Sequence, residues 1–444
     1  MSKVIKIKKG KDINLAGVAE KNVAPRTVSS TIAIKPTDFR NLVPKLVVKA
    51  GDEVKAGDAL FYDKNNPEVM FTSPVSGEVA EVVRGDRRAV LEVRVLADSE
   101  TSYKKFDVSN ASNTKEVLLE SGLWPCIVER PFGVVANPSA TPKAIHVSCF
   151  DTSPLAADIS FTLSKEGDAF RKGVEVLKSL TSGKVHLNVD ANGQNQDVFT
   201  QTPGAVVTQF AGPHPAGLAG VQIHHIDPIN KGDVVWTISP QHVVFIGRLF
   251  TNGQLDLTET IAVAGSDIKK PQYVETMVGT NVEVLLKDNV SGDNSRIISG
   301  NVLTGTSIGA NGYLGFFDNV VSAIPEGDEY EFMGWLFPSY ARPTISNSMP
   351  ISKYLKKNFV VNTNFHGEER AFVVSGEYEK VLPMDIYPVH LLKSILAQDL
   401  ETMENLGIYE VIPEDMALCE FVCTSKIEVQ KILGDGLTLM AEEG

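Results

Sequence analysis

Cysteine is scarce, with four in 444 residues. That is too few for the disulfide framework of a secreted scaffold and fits a reducing compartment. Positive charge is scarce too. Forty-two Lys and Arg stand against 55 Asp and Glu, a formal net charge of −13. This is the wrong sign for neutralising nucleic-acid phosphates and excludes a polybasic lipid anchor. No stretch reaches the roughly 18 uninterrupted apolar residues of a transmembrane helix; the densest run, residues 242–250, is broken by Gly247 and Arg248. Residues 1–8 alternate apolar with basic where a signal peptide needs an apolar block. The expectation is a soluble, cytoplasmic chain. Phosphate cradles are also missing. There is no G-x-x-x-x-G-K-[ST] loop. The apolar run at 144–150 is followed by Asp151-Thr152-Ser153-Pro154-Leu155-Ala156-Ala157-Asp158, with no glycine to bring backbone against a pyrophosphate.

What is present is an ordinary globular balance, 43% apolar and 22% charged, in a chain long enough for roughly three domains. The opening third reads as β: Ile5 and Ile7 face one way, and short strand-like runs alternate with Gly-Asp turn signals at Gly51-Asp52 and Gly57-Asp58. These runs resemble the barrel-sandwich hybrid of biotinyl and lipoyl carriers. Lys64 stands near the hairpin position that takes the prosthetic group there, but Asn65-Asn66-Pro67 follow it, and it reads as a solvated turn lysine. From about residue 144 the pattern becomes strand, helix, strand: Phe170, Val174, Leu177 and Leu180 fall at helical spacing, and Val185, Leu187 and Val189 alternate. Later strands at 260–264, 296–299 and 319–324 surround a short helix capped by Thr280. Residues 331–352 look like an ordered connector. The end is helical, with Gly407 as a C′ stop, Pro413 opening a helix through Cys423, and Ser425 with Glu428 as a capping box. The fold class is therefore α/β multidomain. The parts are a barrel-sandwich-hybrid-like β domain (1–105), a Rossmann-like α/β domain without the dinucleotide fingerprint (106–255), a β-grasp-like, soluble-ligand-binding module (256–330), a connector (331–380) and a C-terminal helical domain (381–444).

Few side chains carry chemistry. Asp151 to Ser153 follow a strand end, where open α/β sheets place ligands, although a backbone-capping role is the plainer reading. Cys419 and Cys423 share a helix face, but a cluster needs about four thiolates, and Cys126 and Cys149 lie far off in sequence. Small buried thiols are the expectation, and no metal site is expected. The stretch Phe210-Ala211-Gly212-Pro213-His214-Pro215-Ala216-Gly217 is a rigid, side-chain-poor loop around one imidazole. A planar ring can lie against such backbone while His214 bonds a carbonyl; a tight structural loop is the alternative. His224 and His225, if on a strand, point to opposite faces and cannot chelate together. No catalytic triad or nucleophile elbow assembles, so no catalytic residue is assigned.

The order of these parts, with Ile5-Lys6-Ile7-Lys8-Lys9-Gly10, the 151–158 string, the 210–217 loop, Arg296-Ile297-Ile298-Ser299-Gly300 and Leu418-Cys419-Glu420-Phe421-Val422-Cys423, resembles the A subunit of the bacterial Na+-translocating NADH:quinone oxidoreductases nearly end to end. More distantly it is similar to the NADH-oxidising subunit of respiratory complex I and to the C subunit of Rnf-type oxidoreductases. The resemblance implies a peripheral subunit on the cytoplasmic side of the bacterial inner membrane, in a six-subunit complex that oxidises NADH, reduces ubiquinone or menaquinone and exports Na+. It implies that flavins and iron centres belong to other subunits and that this chain binds no cofactor of its own. The partners implied are the other five subunits, chiefly the membrane-embedded B subunit. Quinone becomes the expected ligand, with Gly212, Pro213, His214, Pro215 and Gly217 as candidate contacts. A biotinyl or lipoyl carrier, or a pure scaffold, is the alternative.

Overall fold

A computed structural model of the chain describes residues 4–27, 29–110, 113–329, 332, 342–345 and 357–444; most of the expected connector at 331–352 lies outside them. Two facing sheets form the N-terminal β unit. One orders Thr31–Ile34, Val90–Ala97, Gly77–Arg84 and Glu53–Val54; the other orders Pro44–Leu46, Ala59–Asp63 and Met70–Thr72. Their inner faces bury Val54, Leu60, Phe61, Phe71, Val79, Val93 and Val95. A repeated string, Lys-Ala-Gly-Asp at 49–52 and again at 55–58, builds two matching turns. In each the glycine takes positive φ (+87° at Gly51, +96° at Gly57), and the aspartate accepts the N–H of the lysine three residues back (2.9 and 2.8 Å). Glycine at the third turn position is what such a backbone requires.

A seven-stranded sheet follows, in the order Val4–Lys6, Val206–Ala211, Lys184–Asp190, Ala144–Ser148, Val235–Thr237, Val128–Arg130 and Val134–Val135. The first five pair in parallel and the last two antiparallel. Helices Gly167–Ser179 and Pro240–Asn252 pack against each other. The chain starts at Ala144–Ser148, runs outward to Val206–Ala211, then returns to the other side as Val235–Thr237. The strand order therefore reverses between Ala144–Ser148 and Val235–Thr237.

The sequence places the alternating Ile5/Ile7 strand in the N-terminal β unit, and here the structure differs. Val4–Lys6 pairs in parallel with Val206–Ala211, and Glu20–Ala24 adds to the edge of another sheet beside Gln272–Met277. The alternation holds, with Ile7 buried. Its partner is some two hundred residues away, a pairing with no local signature.

That other sheet has six strands: Thr306–Ser307, Ser295–Ser299, Val320–Pro325, Thr258–Ala264, Gln272–Met277 and Glu20–Ala24. The short helix Glu283–Leu286 buries Leu285 and Leu286 with neighbouring Val282 against it. Its N-cap position is Val282, which has no side-chain capping bond; one residue earlier, the Asn281 Oδ1 accepts the Glu283 N–H (2.9 Å). Expected in that role, Thr280 is instead fully buried. Asn281 wins because its short carbonyl arm reaches the amide two residues on. Helices dominate from Tyr378–Val381 to Val429–Glu443. Gly407 takes φ +94° after Leu400–Asn405, as its position predicts. The Ser425/Glu428 box does not form: Ser425 donates to the Ala371 carbonyl (2.9 Å) and Glu428 pairs with Lys431 (3.4 Å). This region is clamped to the seven-stranded sheet by buried Arg130, which binds Asp415 (2.5 Å) and Glu414 (2.9 Å). Among the described residues no helix is long and apolar enough to cross a membrane.

Candidate functional site

Open α/β sheets bind ligands beyond the carboxyl ends of their strands, where the strand order reverses. A cavity of about 430 Å³ lies at that point. Its floor is Ser148, Phe150, Asp151 and Ser153, with Thr237 to His242 alongside. The 210–217 loop contributes His214 and Gly217; the six-stranded sheet and its loops contribute Glu259, Phe316, Phe317 and Asp318; the N-terminal β unit brings Asp38, Phe39 and Arg40. Separate parts of the fold thus meet around it.

Buried polar groups without partners are uncommon in native interiors, yet they gather here. Arg40 Nε, His214 Nε2, Gln241 Nε2, His242 Nδ1 and Glu259 Oε1 all lack a hydrogen-bond partner, and all five residues line this cavity. A wider groove of about 750 Å³ runs past Cys423 and the C-terminal helices, but among the described residues no such orphaned atom belongs to its lining.

The Thr152 hydroxyl accepts the Gly217 N–H (3.0 Å) and lies 3.1 Å from His214 Nδ1, which leaves Nε2 as the ring nitrogen without a partner among the described residues. Burial lowers the pKa of His214 and keeps the ring neutral. The outcome is a neutral imidazole, 2% exposed, whose Nε2 has no hydrogen-bond partner among the described residues. Asp12 holds the loop by accepting the His214 backbone N–H (2.9 Å).

Of the five loop residues proposed as contacts, the structure brings two to the cavity, His214 and Gly217. Gly212 faces the N-terminal segment, where an added Cβ would stand 2.3 Å from the Ile7 carbonyl oxygen. Pro213 packs beside Gly10, and neither Pro213 nor Pro215 lines the cavity. Asp151 has the backbone role anticipated for it, accepting the Ser153 N–H (2.7 Å), and still borders the cavity. His224 and His225 lie on the helix Ala219–Ile226, not a strand. His224 bonds Glu410 (2.6 Å) and the Asp385 N–H (3.1 Å), pinning the C-terminal helices.

Sequence reasoning missed Asp38, Gln241, His242, Glu259, Phe316, Phe317 and Asp318. They come from four separate segments, and only folding gathers them. Burial dominates their electrostatics. It pushes the Asp38 carboxyl up to about 6 against the pull of Lys35 (3.4 Å), raises Glu259 and Asp318, and lowers His242 to about 4. With Asp151 and Glu414, five carboxyl groups line the cavity. The segment after Ala144–Ser148 offers no helix N-terminus until Ile159–Thr162. An aromatic cluster forms part of the wall: Phe39, Phe316 and Phe317 meet tilted or edge to face at 5.0 to 5.4 Å, and His242 lies on Phe316 (5.4 Å, 25°).

All four cysteines are free and buried, and burial raises the thiol pKa of Cys126, Cys149 and Cys419. The Tyr378 hydroxyl bonds Cys423 Sγ (2.9 Å). Among the described residues no group of His, Cys, Asp or Glu is placed to hold a metal ion. Lys64 is exposed on the hairpin between Ala59–Asp63 and Met70–Thr72, in a turn pinned by Asp63, which accepts from Asn65 and Asn66 (both 3.0 Å).

Comparison with known proteins gives the family. Residues 5–98 match the NqrA N-terminal barrel-sandwich hybrid domain, 109–255 the NqrA second alpha/beta domain and 260–309 the NQRA C-terminal domain. The chain is similar to the A subunit of the Na(+)-translocating NADH-quinone reductase of Yersinia pseudotuberculosis, 39% identical over 99% of this chain and 100% of that one. It is likewise similar to that of Serratia proteamaculans, at 38% with the same coverage, and to that of Neisseria meningitidis, at 37%. Among solved structures, a chain of the NAD+-reducing [NiFe]-hydrogenase in the H2-reduced state overlaps 68% of this chain and 57% of its own, at 10% identity and a TM-score of 0.37, too loose to speak to the site. On the end-to-end identity and the three domain matches, the chain belongs to the NqrA family, the A subunits of Na(+)-translocating NADH-quinone reductases.

Proposed function

We propose that this chain is a peripheral subunit on the cytoplasmic side of a membrane-bound, Na+-translocating NADH–quinone reductase, and that its cavity receives a quinone head group. The observation that carries the quinone reading is His214 Nε2, buried on a neutral ring and without a partner among the described residues, in a cavity with phenylalanines on its wall; with the Thr152 hydroxyl donating to Nδ1, it presents an N–H to the ligand. A quinone supplies what is missing: a flat ring for Phe316 and Phe317 and a carbonyl for the imidazole. NADH and flavin are poor candidates there, because their phosphates would find no glycine-rich turn after the strand Ala144–Ser148. The flavins and iron centres of the complex then reside on companion subunits, and the membrane-embedded B subunit is the principal neighbour.

Titration of the full-length chain with a short-chain soluble quinone tests this. Saturable binding is expected, with His214→Ala weakening it about tenfold, the worth of one buried hydrogen bond. Absence of binding overturns the quinone role and leaves a scaffold. A stoichiometric flavin or iron–sulfur absorption band in the purified chain would overturn the cofactor-free reading. A lipoyl or biotinyl mass increment abolished by Lys64→Arg would favour the carrier alternative. Co-purification of the companion subunits from native membranes tests the peripheral placement.

A further inference from the structure

We propose that Glu259 is the proton donor of this cavity, passing its carboxyl hydrogen to a ring oxygen of bound quinone as the ring is reduced; this rests on the quinone reading above. Glu259 lies on the central strand Thr258–Ala264, 6% exposed, and lines the cavity. Its Oε1 has no partner. Buried Asp415 is ion-paired with Arg130; Glu259 has no such ion pair among the described residues. A second unpartnered atom borders the same cavity: His242 Nδ1, on a residue 3% exposed. A ligand oxygen satisfies the Glu259 hydroxyl.

The groups around Glu259 favour a held proton. Asp318 is the charged neighbour that opposes its ionisation and Arg248 the one that favours it. Arg248 is already committed to Glu166 (2.7 Å), Asp256 (3.4 Å) and the Thr258 carbonyl (2.6 Å). His242, on the same helix as Arg248, is kept neutral by burial. Burial itself is the largest influence and raises the carboxyl pKa well above its ordinary value, toward the proton-bearing form.

Behind Glu259 stand two more acids on the cavity wall. Asp318 accepts from the Ser299 hydroxyl (2.6 Å) and Asp38 from the Phe316 N–H (2.8 Å), with Lys35 3.4 Å from Asp38. Reduction of a quinone to its quinol takes two electrons, which NADH oxidation in the complex supplies, and two protons. The Glu259 O–H bond breaks as a ring O–H bond forms. Glu259 is then reprotonated from solvent by way of Asp38 and Asp318, and the opposite ring oxygen takes the second proton from solvent.

The test is steady-state quinone reduction by the assembled complex carrying Glu259→Gln, which keeps the shape and removes the acid. Turnover at neutral pH is expected to fall a hundredfold or so, the worth of a positioned general acid, and to recover toward acid pH, where hydronium substitutes. The quinone KM should stay within about twofold, because the carboxamide still fills the site. Glu259→Met, which fills the volume without any polar atom, should show the same loss of turnover. Unchanged turnover and pH profile in the Gln variant would overturn the proposal. The quinone reading is judged separately: a wild-type chain that fails to bind quinone removes both, whereas one that binds, in a complex indifferent to Glu259→Gln, removes only the proton donor.

Discussion

His242 shows how much one side chain contributes that its place in the sequence conceals. In the sequence it opens an apolar run and stands alone; in the structure it is buried on the first turn of Pro240–Asn252, against Phe245, Phe316 and Phe317. Burial lowers its pKa from 6.5 to about 4. Because the folded value lies below the unfolded one, the unfolded chain binds more protons between those limits. Stability contributed by the neutral ring is complete above pH 6.5 and lost as pH falls toward 4. Near pH 5 the loss from this residue is on the order of 2 kcal/mol. Buried His146, lowered to about 3 and stacked on His186 (4.5 Å), acts with the same sign. Asp38, raised to about 6, works in the opposite direction. Urea unfolding of His242→Phe at pH 7 and pH 5 isolates the term: the variant should lose less stability on acidification than wild type, by that amount. An identical pH dependence would show that the ring titrates normally. The His214 loop, by contrast, stood out in the sequence because glycine and proline crowd around one imidazole, and two of its five flagged residues reach the cavity.

At the scale of elements, periodicity identified the helix Gly167–Ser179 but not its contacts, and it missed Ala219–Ile226 and Pro240–Asn252. The spacing of Phe170, Val174 and Leu177 gave the helix Gly167–Ser179, and all three are buried. Gly247 counted only as an interruption of an apolar run. In the structure it is the point where Pro240–Asn252 touches that helix backbone to backbone: an added Cβ would stand 1.7 Å from the Ala169 carbonyl oxygen, and one on Gly173 would stand 2.0 Å from that of Val243. Two glycines facing each other's helix let the axes approach, a non-local match that neither sequence window contains. Gly247→Ala should push the helices apart and cost about 1–3 kcal/mol, measurable as a lower urea midpoint with an unchanged slope. Since Gln241 and His242 ride on the first turn of that helix, quinone affinity should fall as well. The misassigned caps have a related cause. Thr280 and Ser425 are good capping residue types, but Asn281 sits one residue nearer the helix start, and Ser425 is drawn to the Ala371 carbonyl by tertiary packing.

Across the whole molecule, the N-terminal segment does what no domain does alone. It enters one sheet at Val4–Lys6 and another at Glu20–Ala24. Between them Ile7, Ile13 and Leu15 are buried in the same core as Phe210, Val389 and Leu392. Its backbone bonds the His214 carbonyl from Lys11 (2.8 Å), the Lys380 carbonyl from Gly10 (3.3 Å) and Phe359 in both directions through Ala16 and Asn14 (2.8 Å each). Gly10, at φ +134°, passes so close to the His214 carbonyl that a Cβ would stand 2.1 Å from its oxygen. The α/β unit, the six-stranded sheet and the C-terminal helices are thus stitched by one strand of chain, and the stitch runs directly behind the cavity's imidazole. Cutting a single thread distinguishes this from mere covering. Asp12→Ala removes the acceptor of the His214 N–H and should cost about 1 kcal/mol of stability. It should also weaken quinone binding, although Asp12 does not line the cavity. Asp12→Asn keeps a carbonyl acceptor and should restore most of the binding. If the Ala variant loses stability but binds quinone as wild type does, the segment fastens the domains without setting the position of His214.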